Sequence, residues 1–364
     1  MSANFFLKSI AFKNYRSLEN VSLSKLCRIN LIGGFNGTGK STFLEGVFGF
    51  LDRQNPMVLL HPFVWRKLTI GNDDTLKQLF HDLDYRKKIE ILAGTSKGNI
   101  RVSMSYGQMR AGITINVPTN VQTNLGGILI DQKETQGTEV GMTLETTVND
   151  KEDSSSFARF VGPNNLAIQL YQGGTLKTPS GMIITAANRY SPQEDANRFS
   201  SVVRQNKLPE LLSSLSIIRP NLKGIQLLQD GGVSSLYAQL ENDELLPVSM
   251  LGDGFYTVFS IALAIMNLPD GILLLDEFDS AIHYSIIKDV WSMIARLANK
   301  INCQVIAVTH SRECIHAAVE GVKNGSNLND FQYLRFERNN NKTEIVTYSG
   351  EETIESLASE WEVR

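Results

Sequence analysis

The chain has 364 residues, 42% apolar, 20% charged and 8% aromatic, which suits a water-soluble protein of about two domains and excludes wholesale disorder and fibrous repeats. Thirty-five basic against 38 acidic residues leave a net charge of −3, so any anion-binding site must be local. Cys27, Cys303 and Cys314 show no C-x-x-C spacing and fit a reducing compartment, not a disulfide scaffold or a structural zinc site. The start lacks the basic head and long apolar region of a signal peptide, and no apolar run approaches bilayer length, so a cytoplasmic location is expected.

In chain order, Leu7–Phe12 and Leu26–Ile32 read as strands, Gly33–Gly39 as a turn and Ser41–Phe50 as a helix. From about Lys88 to Asn188 short apolar pieces recur between Gly, Asn, Thr and Pro: Ile89–Leu92, Ile100–Met104, Ile113–Val117, Gly127–Ile130, Leu144–Val148, Leu166–Tyr171 and Met182–Ala186. That pattern predicts consecutive antiparallel strands and not a βαβ series. Asp131–Asp153, rich in carboxylates, is expected to form a mobile loop or a hairpin. Leu208, Leu211, Leu212 and Leu215 mark a helix face. Gly224–Leu228 and Ser234–Leu240, joined by Asp230-Gly231-Gly232, form a hairpin pattern. After Pro247 come a turn, the wholly apolar helix Phe255–Leu268, strand, helix, strand and helix. The organisation predicted is residues 1–60 as one part of an α/β domain, 61–190 as a β-rich insertion, 191–350 as the other part, and 351–364 as an acidic tail.

Gly34-Phe-Asn-Gly-Thr-Gly39-Lys40-Ser41 matches G-x-x-x-x-G-K-[ST] between an apolar strand and a helix, the setting a phosphate-binding loop requires. Its glycines let successive N–H groups converge on phosphate oxygens at a helix N-terminus. Gly34, Asn36, Gly37, Thr38, Gly39, Lys40, Ser41 and Thr42 are therefore candidate nucleotide ligands, with Lys40 toward the β/γ-phosphates and Ser41 on Mg²⁺. The apolar run Gly271–Leu275 ends in Asp276-Glu277; Asp276 is a second candidate Mg²⁺ ligand and Glu277 a candidate base for the attacking water. Cys303–Val308 ends in Thr309-His310-Ser311, which sets His310 beside the γ-phosphate.

These residues together resemble ABC-type ATPases of the RecF, SMC and OLD (overcoming lysogenization defect) group. The resemblance begins at Leu7–Leu18, continues through Ile32–Glu45 and resumes at Leu251–Gly254, Leu273–Asp279, Ala281–His283 and Val308–Ser311. The L-G-D-G, D-E and T-H-S-x-E-C combination is most similar to stand-alone OLD-like bacterial ATPases of the AAA family, an anti-phage defence type. The resemblance implies a P-loop ATPase head, α/β with an antiparallel β-rich insertion, that hydrolyses ATP with Mg²⁺, slowly or under regulation. It further implies that two heads enclose two ATP molecules, with Gly252, Asp253 and Gly254 as a signature loop capping the other head's nucleotide. Ser280–His283 would then cross the interface, and Tyr15 and Arg16 would lie near base or ribose. The usual serine of that signature is replaced by Gly252. Asn188 or Gln193 would supply the Q-loop side chain. Past Ser311 there is no glutamate followed by D-x-D, so a separate effector subunit, a nuclease or another toxic protein, is expected as partner. The alternative is a RecF/SMC-like repair ATPase acting on DNA directly; three basic clusters, around Arg28, Arg86 and Arg204, are where nucleic acid could bind. A transporter ATPase and a non-hydrolysing scaffold fit less well, given the altered signature and the presence of Glu277.

Overall fold

The computed structural model describes residues 5–68, 70–108, 112–118, 132–135, 139–162, 165–186, 192–230, 233–340 and 342–359. Two sheets dominate. The first has six strands in the order Gly181–Thr185, Ile272–Asp276, Gln304–Val308, Ile29–Gly34, Phe331–Asn339, Lys342–Ser349; all are parallel except the last, an antiparallel edge. The second has nine antiparallel strands in the order Leu18–Leu23, Leu7–Tyr15, Ile89–Thr95, Gly98–Gln108, Val140–Val148, Lys151–Gly162, Asn165–Gln172, Gly112–Pro118, Gln132–Thr135.

The central parallel strands read as unbroken apolar runs because both faces are covered. Alternate side chains go to opposite sides: Leu273, Leu275, Val305 and Ala307 join one core with the helices Asp253–Met266, Tyr284–Ile301 and Arg312–Gly325. Ile272, Leu274, Ile306 and Val308 join the other, which holds Phe43, Leu44, Val47 and Phe50 of the helix Lys40–Leu51 together with Ile10, Phe12, Ile89 and Ile91 of the large sheet. That helix is sandwiched between sheets, which is why it is apolar nearly all round. Phe12 meets Phe43 edge-on at 5.3 Å, and a Cβ on Gly46 would lie 2.4 Å from the Phe12 ring.

Ile89–Thr95 pairs with Leu7–Tyr15 of the N-terminal segment, and Gly181–Thr185 is the edge strand of the parallel sheet, so neither expected boundary separates one layer from another. Within Asp131–Asp153 the hairpin alternative holds, since Val140–Val148 and Lys151–Gly162 pair. The expected strand at Gly127–Ile130 lies outside the described residues. The hairpin over 222–240 forms, with Leu245–Pro247 as a third strand. Residues 351–359 are mostly helical: Gly350–Ala358 begins at a capping box of Ser349 and Glu352. Among the described residues, no helix is long and apolar enough to cross a membrane.

Candidate nucleotide site

Strand register assembles the site. Thr185 lies beside Asp276, Asp276 beside Val308, Val308 beside Ile32, and Ile32 beside Leu334. The C-terminal ends of five parallel strands, drawn from distant parts of the chain, therefore line up on one edge, where ligands of open α/β sheets bind.

From Ile32 the chain turns through Gly33 and Gly34 into the phosphate loop. Gly34 has φ +124°, and a Cβ there would fall 2.2 Å from the Phe336 carbonyl oxygen, so only glycine fits. Gly39, at φ 97°, opens the helix. The loop is held in shape by its neighbours: the Thr38 hydroxyl donates to Phe35 O (2.9 Å), the Thr343 hydroxyl to Thr38 O (3.0 Å), and Arg338 Nη1 to Gly37 O (3.3 Å). Lys40 Nζ donates to the carbonyls of Gly34 and Phe35, both at 2.7 Å. Burial pulls the Lys40 ammonium down to about 8, opposed by the carboxylates of Glu277 and Asp276. Lys40 thus shares one electrostatic environment with the acidic pair 236 and 237 positions away.

The Ser41 hydroxyl donates to Asp276 Oδ1 at 3.3 Å. Burial raises the Asp276 carboxyl above its usual range, while the hydrogen bond from Ser41 opposes it. Glu277 has a left-handed backbone, φ 53°, and its N–H donates to Val308 O at 3.1 Å. That kink turns its carboxylate to His310, whose Nε2 lies 2.9 Å from Glu277 Oε1. Behind them the Thr309 hydroxyl donates to Asp279 Oδ2 at 2.7 Å, joining the two strand-end loops.

Two clefts flank this line. One, of about 470 Å³, is bordered by Gly34, Phe35, Asn36, Thr309, His310 and Ile315. The other, of about 180 Å³, is bordered by Ser41, Glu45, Trp65, Arg66, Thr185, Asp276 and Glu277 among others. Glu45, Trp65 and Arg66 were not anticipated. Glu45 had a readable signal, since it stands four residues after Ser41 on one helix face among apolar neighbours. Nothing in the sequence around Arg66 marks it.

Other expected residues lie elsewhere. Thr42 is buried in the helix. Arg16 does not border either cleft; its Nη1 donates to Glu45 Oε2 at 2.9 Å. Tyr15 is 3% exposed in the core. Gly252, φ 98°, precedes the helix Asp253–Met266, and a Cβ on Gly254 would sit 2.9 Å from Ala281 O, so the expected signature residues pack on the loop following Glu277. None of Gly252, Asp253 and Gly254 borders either cleft. Gln193 is exposed on the helix Pro192–Arg204, and Asn188 lies outside the described residues. Many cations of the three basic clusters are tied up locally: Lys13 with Glu90, Arg28 with Asp330, Arg86 and Lys87 with Asp84, Arg198 with Glu194 and Asp195.

Comparison with known proteins agrees with this architecture. A family model described as "AAA domain, putative AbiEii toxin, Type IV TA system" matches residues 129–314, a span that includes Asp276, Glu277 and His310. A Helicobacter pylori protein named "ATP/GTP phosphatase" is 21% identical over 332 residues, covering 85% of this chain and 86% of that one. A solved Smc head, bound to the C-winged helix domain of ScpA, matches with a TM-score of 0.52 at 11% identity, covering 96% of this chain and 99% of its own. That last likeness is one of fold alone.

Proposed function

This chain belongs to the AAA-domain family whose model spans residues 129–314, and we propose that it is a magnesium-dependent ATPase whose heads pair around nucleotide and control a separate effector protein. The observation that carries the reading is the convergence of Lys40, Ser41, Asp276, Glu277 and His310 on one sheet edge, with Ser41 bonded to Asp276 and Glu277 to His310.

The chemistry is phosphoryl transfer to water, in which positioning and charge stabilisation do most of the work. The Ser41 hydroxyl and the Asp276 carboxylate, 3.3 Å apart, would offer Mg²⁺ two hard oxygen donors. Bound there, Mg²⁺ would neutralise charge on the phosphates. Lys40 and the loop N–H groups hold the β- and γ-phosphates. Glu277 takes the proton from the attacking water, and His310 orients Glu277 and senses loss of the γ-phosphate.

Pairing of heads draws support from exposure. Tyr284, Met250 and Phe35 are 74%, 73% and 60% exposed, the highest values among the large apolar side chains described. They stand at the start of the helix Tyr284–Ile301, just ahead of the signature loop, and in the phosphate loop. The signature loop, which borders neither cleft of its own chain, would cap a second head's nucleotide. The regulated effector, of nuclease or toxin type in anti-phage defence, rests on the OLD-like resemblance; the Smc head relative, solved with a bound partner domain, is in keeping with it.

Lys40→Ala should abolish ATP binding in calorimetry. Glu277→Gln should retain binding while lowering turnover by about 10²- to 10⁴-fold. Wild-type turnover in Glu277→Gln would remove the base assignment. Copurification with the product of a neighbouring gene, dependent on ATP, tests the effector reading.

A further inference from the structure

Glu45 is a buried carboxylate to which the phosphoryl-transfer chemistry above gives no task. It is 6% exposed, and its two oxygens are divided between two guanidinium groups: Oε2 accepts from Arg16 Nη1 at 2.9 Å, and Oε1 accepts from Arg66 Nη1. The two arginines come from unrelated turns. Arg16 has a left-handed backbone, φ 49°, pinned by its N–H to Leu79 O (2.9 Å) and by His81 Nδ1 donating to its carbonyl (2.6 Å). Arg66 follows the short helix His61–Val64, and its Nη1 also donates to Pro62 O at 3.1 Å. It borders the smaller cleft with Ser41, Asp276 and Glu277.

We propose that Glu45 is a positioning residue for ATP hydrolysis: by holding Arg66 on one carboxylate oxygen, it keeps that guanidinium at the metal-side cleft, available to the transferred phosphoryl group and off the catalytic carboxylates. This rests on the ATPase reading above. The physical reason lies in competition among anions. Arg66 has Glu45, Asp276 and Glu277 around one small cleft, and a guanidinium pairs with the carboxylate best placed to receive it. Glu45 is that partner because the helix fixes it one turn beyond Ser41 and Arg16 anchors its other oxygen. With Glu45 neutral, Arg66 closes on Asp276 or Glu277 and disables a metal ligand or the base. A correctly held arginine instead meets charge that develops on the phosphoryl oxygens, a contact worth about 10²-fold or more in rate.

The test is a double-mutant cycle on the full chain, with steady-state ATP turnover at saturating Mg²⁺. Glu45→Gln and Arg66→Ala should each lower kcat by about 100-fold while KM for ATP stays within about threefold. The double variant should be no slower than Arg66→Ala alone, since Glu45 acts only through Arg66. Glu45→Asp, which keeps the charge but withdraws it by one methylene, should fall between wild type and Glu45→Gln; if Glu45→Gln does not fold, Glu45→Asp replaces it in the cycle. Multiplicative losses in the double variant, or a rise in KM with kcat unchanged, would overturn the proposal. So would wild-type kcat in the Glu45 variant while Glu277→Gln is inactive. Absence of Mg²⁺-dependent ATP turnover in the wild-type chain would instead remove the ATPase reading on which it rests.

Discussion

At the scale of single residues, burial sets the character of several groups beyond the nucleotide site. His61 lies between Phe48 and Trp65, with ring centroids 5.1 and 5.3 Å away, and burial pulls its imidazole down to about 4. The unfolded chain takes up this proton near 6.5, whereas the native state resists until about 4. Stability is therefore lost as pH falls through that window, by about 2 kcal/mol at pH 5. Asp52 works the other way, because burial raises its carboxyl to about 6, and the native state gains relative stability between pH 6 and 3.8. The His61 contribution is isolated by difference. His61→Phe should lose about 2 kcal/mol less than wild type in urea unfolding between pH 7 and pH 5; the same loss in both proteins would refute it. Gly34→Ala meets a harder constraint, since its Cβ collides with the Phe336 carbonyl and its φ is strained. Loss of ATP binding with a lowered melting temperature is expected.

At the scale of elements, the helix Asp253–Met266 is fastened to the helix Pro192–Arg204 by a buried carboxylate. Asp195, 1% exposed, accepts from the hydroxyls of Tyr256 (2.6 Å) and Ser260 (3.1 Å) and from Arg198 Nη1 (2.9 Å). Replacing it leaves two buried hydroxyls without that acceptor, each costing about 1–3 kcal/mol. Asp195→Ala should lower unfolding free energy by about 3 kcal/mol; a loss below about 1 kcal/mol would show that the hydroxyls find other partners. The helix also carries Gly252 and Gly254 at its start, so loosening it should weaken head pairing before it weakens ATP binding. The hairpin Phe331–Asn339 and Lys342–Ser349 is an element that sequence patterning passed over. It braces the phosphate loop through Thr343, Arg338 and the backbone of Phe336, contacts that connect residues some 300 positions apart.

At the scale of the whole molecule, the pairing model makes a demand on solution behaviour. Glu277→Gln with ATP and Mg²⁺ should sediment as a dimer. Adding Met250→Glu or Tyr284→Glu should weaken that dimer by about 100-fold, through burial of an unpaired charge, while ATP still binds each chain. A dimer of unchanged strength would place the interface elsewhere.

The phosphate loop and the carboxylate pair were legible in the primary structure because each is a local pattern. Glycines, Lys40 and Ser41 must follow a strand and open a helix, and Asp276-Glu277 must end an apolar run. Alternation likewise marked most strands of the large sheet. Which strands become neighbours was not legible, since hydrogen-bond partners leave no local trace. Hence the pairing of Ile89–Thr95 with Leu7–Tyr15 emerged only in three dimensions. The same holds for Arg16 and Arg66, whose meeting on Glu45 joins turns fifty positions apart around one buried charge. Short-range chemistry wrote the catalytic vocabulary of this chain; long-range packing of two sheets about the helix Lys40–Leu51 decided which of those groups face one another.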